Sequence, residues 1–282
     1  MAKRLIINAD DFGCSPEVNQ AVERAHTKGV LTSATLMTNM SDFEDAVAIA
    51  KRLPRLGVGV HLNLFKSRPV SDSCRVRRLL DSSGNFKYSP QMLAFLSMFS
   101  HKIRTAIRIE MAAQIQRLID SGLVPTHLDS HKHIHCFPAV YGIVCALARQ
   151  FKISAVRYCW EPAALCDTPW PLSTPEGKQA AKQLRRMARF NRLYDSELLK
   201  TDLTLGLTHV GRIDANFFKA VSIYTTAQTA EVMTHPATED DPADAGKLLK
   251  LNRKAEFEAL CDERTKKCLH DAGIELIHYG SL

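Results

Sequence analysis

Short apolar runs alternate with helical stretches from one end of this chain to the other, and that alternation limits the fold more than any single motif does. Strand-like runs lie near residues 3–9, 31–37, 57–63, 125–130, 154–158, 204–209, 229–234 and 274–278. Helical patterns fall near 16–28, 42–53, 103–121, 138–151, 177–193, 214–221 and 247–271. Strand followed by helix, repeated throughout, predicts parallel β-structure joined by crossover helices. About eight such units in 282 residues fit one α/β domain spanning 1–282, a regular or distorted (β/α) TIM-like barrel, with a doubly wound sheet as the alternative. Two connections are long, 65–102 and 159–176, and both follow strands. In a barrel they emerge on the catalytic face, where lids and substrate walls belong.

No stretch approaches the ~18 apolar residues of a membrane span; Met92–Phe99 and Ala139–Ala148 are short or interrupted. Asp10 and Asp11 cut off the apolar segment after Met1-Ala2-Lys3-Arg4 too early for a signal peptide, so the expected location is cytoplasmic. The eight cysteines include no C-x-x-C pair, which argues against structural zinc and for free thiols in a reducing compartment. Cys261 and Cys268 are spaced as one helical face. The net charge of +7 gathers in three basic clusters. The third, from Lys178 to Arg192, has the period of a solvated helix face, and no nucleic-acid-binding signature accompanies it.

Polar chemistry collects at the ends of the strand-like runs. Asn8-Ala-Asp10-Asp11-Phe-Gly13 follows Leu5-Ile6-Ile7, and adjacent carboxylates call for a compensating cation or a shared proton. Neighbouring strand residues face opposite sides, so the pair can serve one site only if the chain turns there. The plain alternative is an acidic turn in which Asp11 or Ser15 caps a helix. His127-Leu-Asp129-Ser-His131-Lys-His133-Ile-His135 would put four imidazoles besides His127's carboxylate neighbour on one extended face, which an apolar core does not tolerate. That run must leave the strand, bind a cation or line a polar cavity. Imidazole with carboxylate is a common set for a catalytic divalent ion. His61 and Asn63 end the run Gly57–Leu64, and His235 precedes Pro236 at the end of another apolar run. Arg157 ends a fifth and could orient a carboxylate, form a structural salt bridge or bind a hydroxyl of a ligand. Trp160 and Trp170 could stack on the rings of a ligand or pack on nearby prolines.

Taken in order, the Asn8–Gly13 motif, the Gly59-Val-His61-Leu-Asn63-Leu64 strand, the Thr126-His127-Leu-Asp129-Ser-His131 run with His133 and His135, and His235-Pro236-Ala237 resemble the YdjC-like carbohydrate deacetylases. That family includes chitooligosaccharide deacetylases and enzymes of hopanoid glycolipid biosynthesis. The resemblance implies a distorted barrel and one divalent metal ion, magnesium or zinc with cobalt or nickel as substitutes, held by Asp11, His61 and His131. It further implies Asp10 as general base and His235 as general acid in removing an N-acetyl group from an acetylated amino sugar or glycolipid. Asp129 would orient a ligating histidine, and Asn63 would line the site. The alternatives are a metal-dependent amidase or esterase with a non-sugar substrate, and a non-catalytic polyanion-binding protein. Neither long connection carries a substrate signature, and a homodimer is the base-rate expectation for assembly.

Overall fold

The computed structural model describes residues 3–162, 175–191, 197–224, 227–241 and 251–282. The strands are β1 (Arg4–Phe12), β2 (Ser33–Leu36), β3 (Gly57–Leu62), β4 (His127–Ser130), β5 (Ala155–Val156), β6 (Leu203–Leu205), β7 (Thr229–Thr234) and β8 (Glu275–Leu276). Around them lie α1 (Pro16–Lys28), α2 (Phe43–Arg52), α3 (Ser73–Val76), α4 (Pro90–Phe99), α5 (His101–Asp120), α6 (Pro138–Gln150), α7 (Pro175–Asn191), α8 (Ala215–Tyr224), α9 (Arg253–Cys261) and α10 (Glu263–Asp271). Every strand pair is parallel, in the order β5-β4-β3-β2-β1-β7-β6. The sheet curls, and its edges are stitched by Leu199 N–H to the Ser154 carbonyl (2.8 Å) and Thr204 N–H to the Trp160 carbonyl (2.9 Å). This is a distorted barrel, as the alternation predicts.

β1 explains the distortion at its most important point. On one edge it pairs with β7 from Arg4 to Ala9. Its other edge is shared: β8 takes Arg4 and Leu5, while β2 takes Asn8 through Phe12. The β2 register slips between Ala9 and Phe12, and Asp11 sits there at φ +66°. A non-glycine residue in the left-handed region is strained, and Asp tolerates it better than most. The bulge breaks the strict alternation of side chains, so Asp10 and Asp11 reach one neighbourhood instead of opposite faces. Ser15, not Asp11, caps α1 by accepting from Val18 N–H.

Several boundaries differ from the sequence expectations. β1 runs on through both aspartates, and β6 stops at Leu205 because Gly206 turns at φ +96°. The 65–102 connection is not structureless: it holds α3 and α4, the latter begun by the Ser89 cap and Pro90 at its first turn. The single helix expected over 247–271 is two, because Asp262 adopts an extended conformation and caps α10. Residues 247–250 of that expected helix, and 163–174 of the 159–176 connection with Trp170, lie outside the described residues. Among the described residues no helix is long and apolar enough to cross a membrane.

Candidate active site

The ends of β1, β3 and β4 deliver three donors to one point. Asp11 Oδ1 lies 3.1 Å from His131 Nδ1 and 3.5 Å from His61 Nε2. One donor atom from each of Asp11, His61 and His131 falls within 4.8 Å of the others. His61 is aimed there by Asp129, whose Oδ1 meets His61 Nδ1 at 2.8 Å and leaves Nε2 facing Asp11. The other oxygen of Asp11 accepts from Arg253 Nη2 at 2.7 Å. Nε2 of His131 is buried with no hydrogen-bond partner, an unusual condition for an imidazole nitrogen. Two imidazoles, one carboxylate and an unpartnered nitrogen suit a divalent ion with coordination positions left over for water or substrate.

Asp10 faces the barrel interior, where Arg157 is completely buried. Arg157 grips Asp10 with two bonds, Nη1 to Oδ2 at 2.8 Å and Nη2 to Oδ1 at 2.6 Å. The same guanidinium reaches Asp129 Oδ2 at 2.6 Å and Glu231 Oε1 at 2.7 Å. Tyr279 O–H donates to Glu231 Oε2 at 2.6 Å from below. Asn8 Nδ2 donates to Asp10 Oδ1 at 2.9 Å, and the Thr35 hydroxyl touches Asp129 at 3.1 Å. A buried arginine among three carboxylates is tolerable because its fork supplies donors in carboxylate geometry.

The charges set the protonation of the site. Burial alone would raise both aspartates; Arg157 and His61 outweigh it at Asp10, and His131 and Arg253 outweigh it at Asp11. Both are therefore held well below the usual carboxylate range. Burial would lower His61, but Asp129 and Asp10 raise it to about 9. For His131 and His235 burial prevails, and His235 falls to about 4. His235 follows β7 with Nε2 4.0 Å from Asp10 Oδ2, and its buried Nδ1 has no hydrogen-bond partner. Its backbone N–H donates to Glu256 Oε2 at 2.6 Å, and burial pushes Glu256 up to about 7.

The structure thus brings Asp10, Asp11, His61, Asp129, His131, Arg157 and His235 together. Asn63 faces elsewhere: its Oδ1 accepts from Phe65 and Lys66 N–H, and its amide donates to Asn39 Oδ1 and the Lys66 carbonyl. It holds the turn after β3. The histidine run does not share one face, because β4 ends at Ser130 and Lys132 and His133 are left-handed, at φ 54° and 52°. His127 instead stacks on Tyr279 at 3.8 Å, against Gly59, where a Cβ would come within 2.5 Å of the imidazole. Trp160 stacks on Tyr158. Sequence reasoning missed Arg253, Glu231 and Glu256. Glu231 alone left a signal, a carboxylate in the middle of the apolar strand 229–234.

The family model described as YdjC-like protein matches residues 4–271. A carbohydrate deacetylase of Brevibacillus brevis is 35% identical over 99% of both chains. A chitooligosaccharide deacetylase of Proteus mirabilis is 30% identical over the whole of both. Among solved structures, an Enterococcus faecalis protein provisionally named for cellobiose-phosphate cleavage superposes with a TM-score of 0.79 at 27% identity, over 100% of this chain and 99% of that one.

Proposed function

The chain belongs to the YdjC-like family, and from that premise we propose that it is a metal-dependent hydrolase removing the N-acetyl group of an amino sugar. The observation that carries this reading is the cluster of Asp11, His61 and His131, with Asp10 and His235 beside it. The deacetylase names of full-length relatives support a carbohydrate substrate. A divalent ion held by Asp11, His61 and His131 would polarise the acetamide carbonyl and acidify a water molecule. Two imidazole donors favour zinc, cobalt or nickel over magnesium.

The chain's own residues then divide the proton work. Asp10, fixed by Arg157, accepts the proton of the attacking water. Arg157 makes that carboxylate a weak base, so the proton does not stay. His235 is the more basic of the two and stands 4.0 Å away, and its ring starts neutral at pH 7. A proton moving from Asp10 to His235 charges the imidazole, which can then donate to the departing amine. Acetate and a free amino sugar leave, and the water has supplied both the acetate oxygen and the amine proton. Asp129 keeps His61 in orientation throughout, and Glu256 anchors the backbone of His235.

The test is acetate release from N-acetylglucosamine oligomers and acetylated glycolipids after chelation and reconstitution with zinc, cobalt or magnesium. The expected result is metal-restored acetate release from a sugar. Turnover confined to anilide or simple ester substrates would overturn the sugar assignment. Full activity in Asp10→Asn and His131→Ala would overturn the mechanism.

A further inference from the structure

Four residues of the histidine run and the β5 exit form a second cluster that the proposed reaction does not use. His135 Nε2 lies 3.5 Å from Cys136 Sγ and 3.9 Å from Cys159 Sγ. Cys159 Sγ lies 3.7 Å from His133 Nδ1. With metal–sulfur bonds of about 2.3 Å and metal–nitrogen bonds of about 2.05 Å, a tetrahedral zinc site has nitrogen–sulfur edges of about 3.6 Å. The three separations lie within a few tenths of an ångström of that edge.

The surroundings favour a cation over plain thiol–imidazole contacts. Ser130 Oγ meets His135 Nδ1 at 2.6 Å and also accepts the His135 backbone N–H at 2.9 Å. An imidazole fixed at Nδ1 presents Nε2 in one direction, as ligating histidines do. Here that direction leads to the two sulfurs. The left-handed Lys132 and His133 turn the chain so that His131 faces Asp11 while His133 approaches Cys159. Both cysteines belong to a small apolar cluster with Ala181, Leu184, Leu207 and Met233. Two thiolates would cancel the charge of one zinc ion, leaving a neutral centre compatible with that wall.

We propose that His135, Cys136 and Cys159, whose donor atoms lie within 4.8 Å of one another, form a second metal centre for zinc that fastens the exit of β4 to the exit of β5, with His133, now beside Cys159 alone among these three, swinging in as the fourth ligand on binding. Binding makes two metal–sulfur and two metal–nitrogen bonds and releases the two thiol protons to solvent, with no change of oxidation state. The centre steadies the turn that carries His131, four residues before His135. The missing C-x-x-C spacing argues against structural zinc along the sequence, but these ligands come from two separate strand exits.

Cobalt separates this centre from the Asp11 site, since only a thiolate ligand gives a sulfur-to-cobalt charge-transfer band in the near ultraviolet. Full-length protein, stripped with chelator under reducing conditions, is titrated with Co²⁺. Two equivalents are expected, one of them carrying the thiolate band. Cys159→Ser should bind one equivalent without the band, whereas His131→Ala should keep the band. His133→Ala leaves the buried sulfurs untouched and should weaken the band-bearing site by at least about tenfold. Three results would overturn the proposal: cobalt binding with no thiolate band, a band that survives Cys159→Ser, or a Cys136–Cys159 disulfide in freshly isolated protein.

Discussion

The carboxylates inside the barrel and the histidines at its rim are held in opposite conditions. Below, Arg157 joins Asp10, Asp129 and Glu231, with Tyr279 closing the last carboxylate. At the rim, His131 and His235 each keep a buried nitrogen without a hydrogen-bond partner. A satisfied buried network contributes rigidity, and removing a member leaves uncompensated charge. Unpaired buried nitrogens cost stability and persist where a ligand or a proton transfer needs them. Adjacent in sequence, Asp10 belongs to the interior and Asp11 to the rim. Losses of Arg157, Glu231 or Tyr279 should therefore register as stability and losses at the rim as chemistry, while Asp10, which touches both Arg157 and His235, joins the two.

The largest effect expected is on turnover. His131→Ala should lose metal at the Asp11 site and reduce kcat/KM by at least about 10³-fold, reflecting the several kcal/mol a metal supplies. Its unfolding midpoint should stay near that of the parent, and a large fall in urea denaturation would break the division. Asp10→Asn should lower kcat by about 10²–10⁴-fold with metal content retained by elemental analysis. Arg157→Met should cost about 3–5 kcal/mol in chemical denaturation, because three buried carboxylates lose their common partner. A stable Arg157→Met protein would show that the interior network is not structural.

A smaller effect follows from pH. Folded His61 titrates near 9 against 6.5 when unfolded, so its contribution is complete below 6.5 and is lost as pH rises through 9. His127 and His235, held near 3 and 4, contribute above 6.5 and lose that contribution as pH falls toward those values. Chelated protein should then be most stable near pH 6.5, losing up to about 3 kcal/mol from His61 on the alkaline side. Zinc should flatten the alkaline limb by taking the place of the His61 proton. The smallest change is Tyr279→Phe, which removes the 2.6 Å bond to Glu231 and should cost about 1–3 kcal/mol with kcat nearly unaltered.

The parts of the site readable along the chain are those attached to strand ends. Asp10, Asp11, His61, His131 and His235 each interrupt or follow an apolar run, and a parallel barrel gathers such positions at one end. What could not be read depends on contacts between distant segments. Arg253 meets Asp11 across 242 residues, and Glu256 serves the backbone of His235, which no pattern of side-chain types reveals. The bulge at Asp11 is a slip of register between β1 and β2, segments whose pairing no pattern along β1 reveals. α4 was hidden in an apolar stretch with no polar face, since Phe95, Met98 and Phe99 remain exposed on it. Even the histidine run misled by its regular spacing, because two left-handed residues divided its side chains among three destinations.

Arg157 and Arg253 have one further consequence. Each carboxylate at the heart of the barrel already has a cation from the chain itself, so assembly of this region need not wait for a metal ion. The fold of the site can precede the arrival of any ion. Under the proposed reading, a change in metal supply would then change activity without new synthesis.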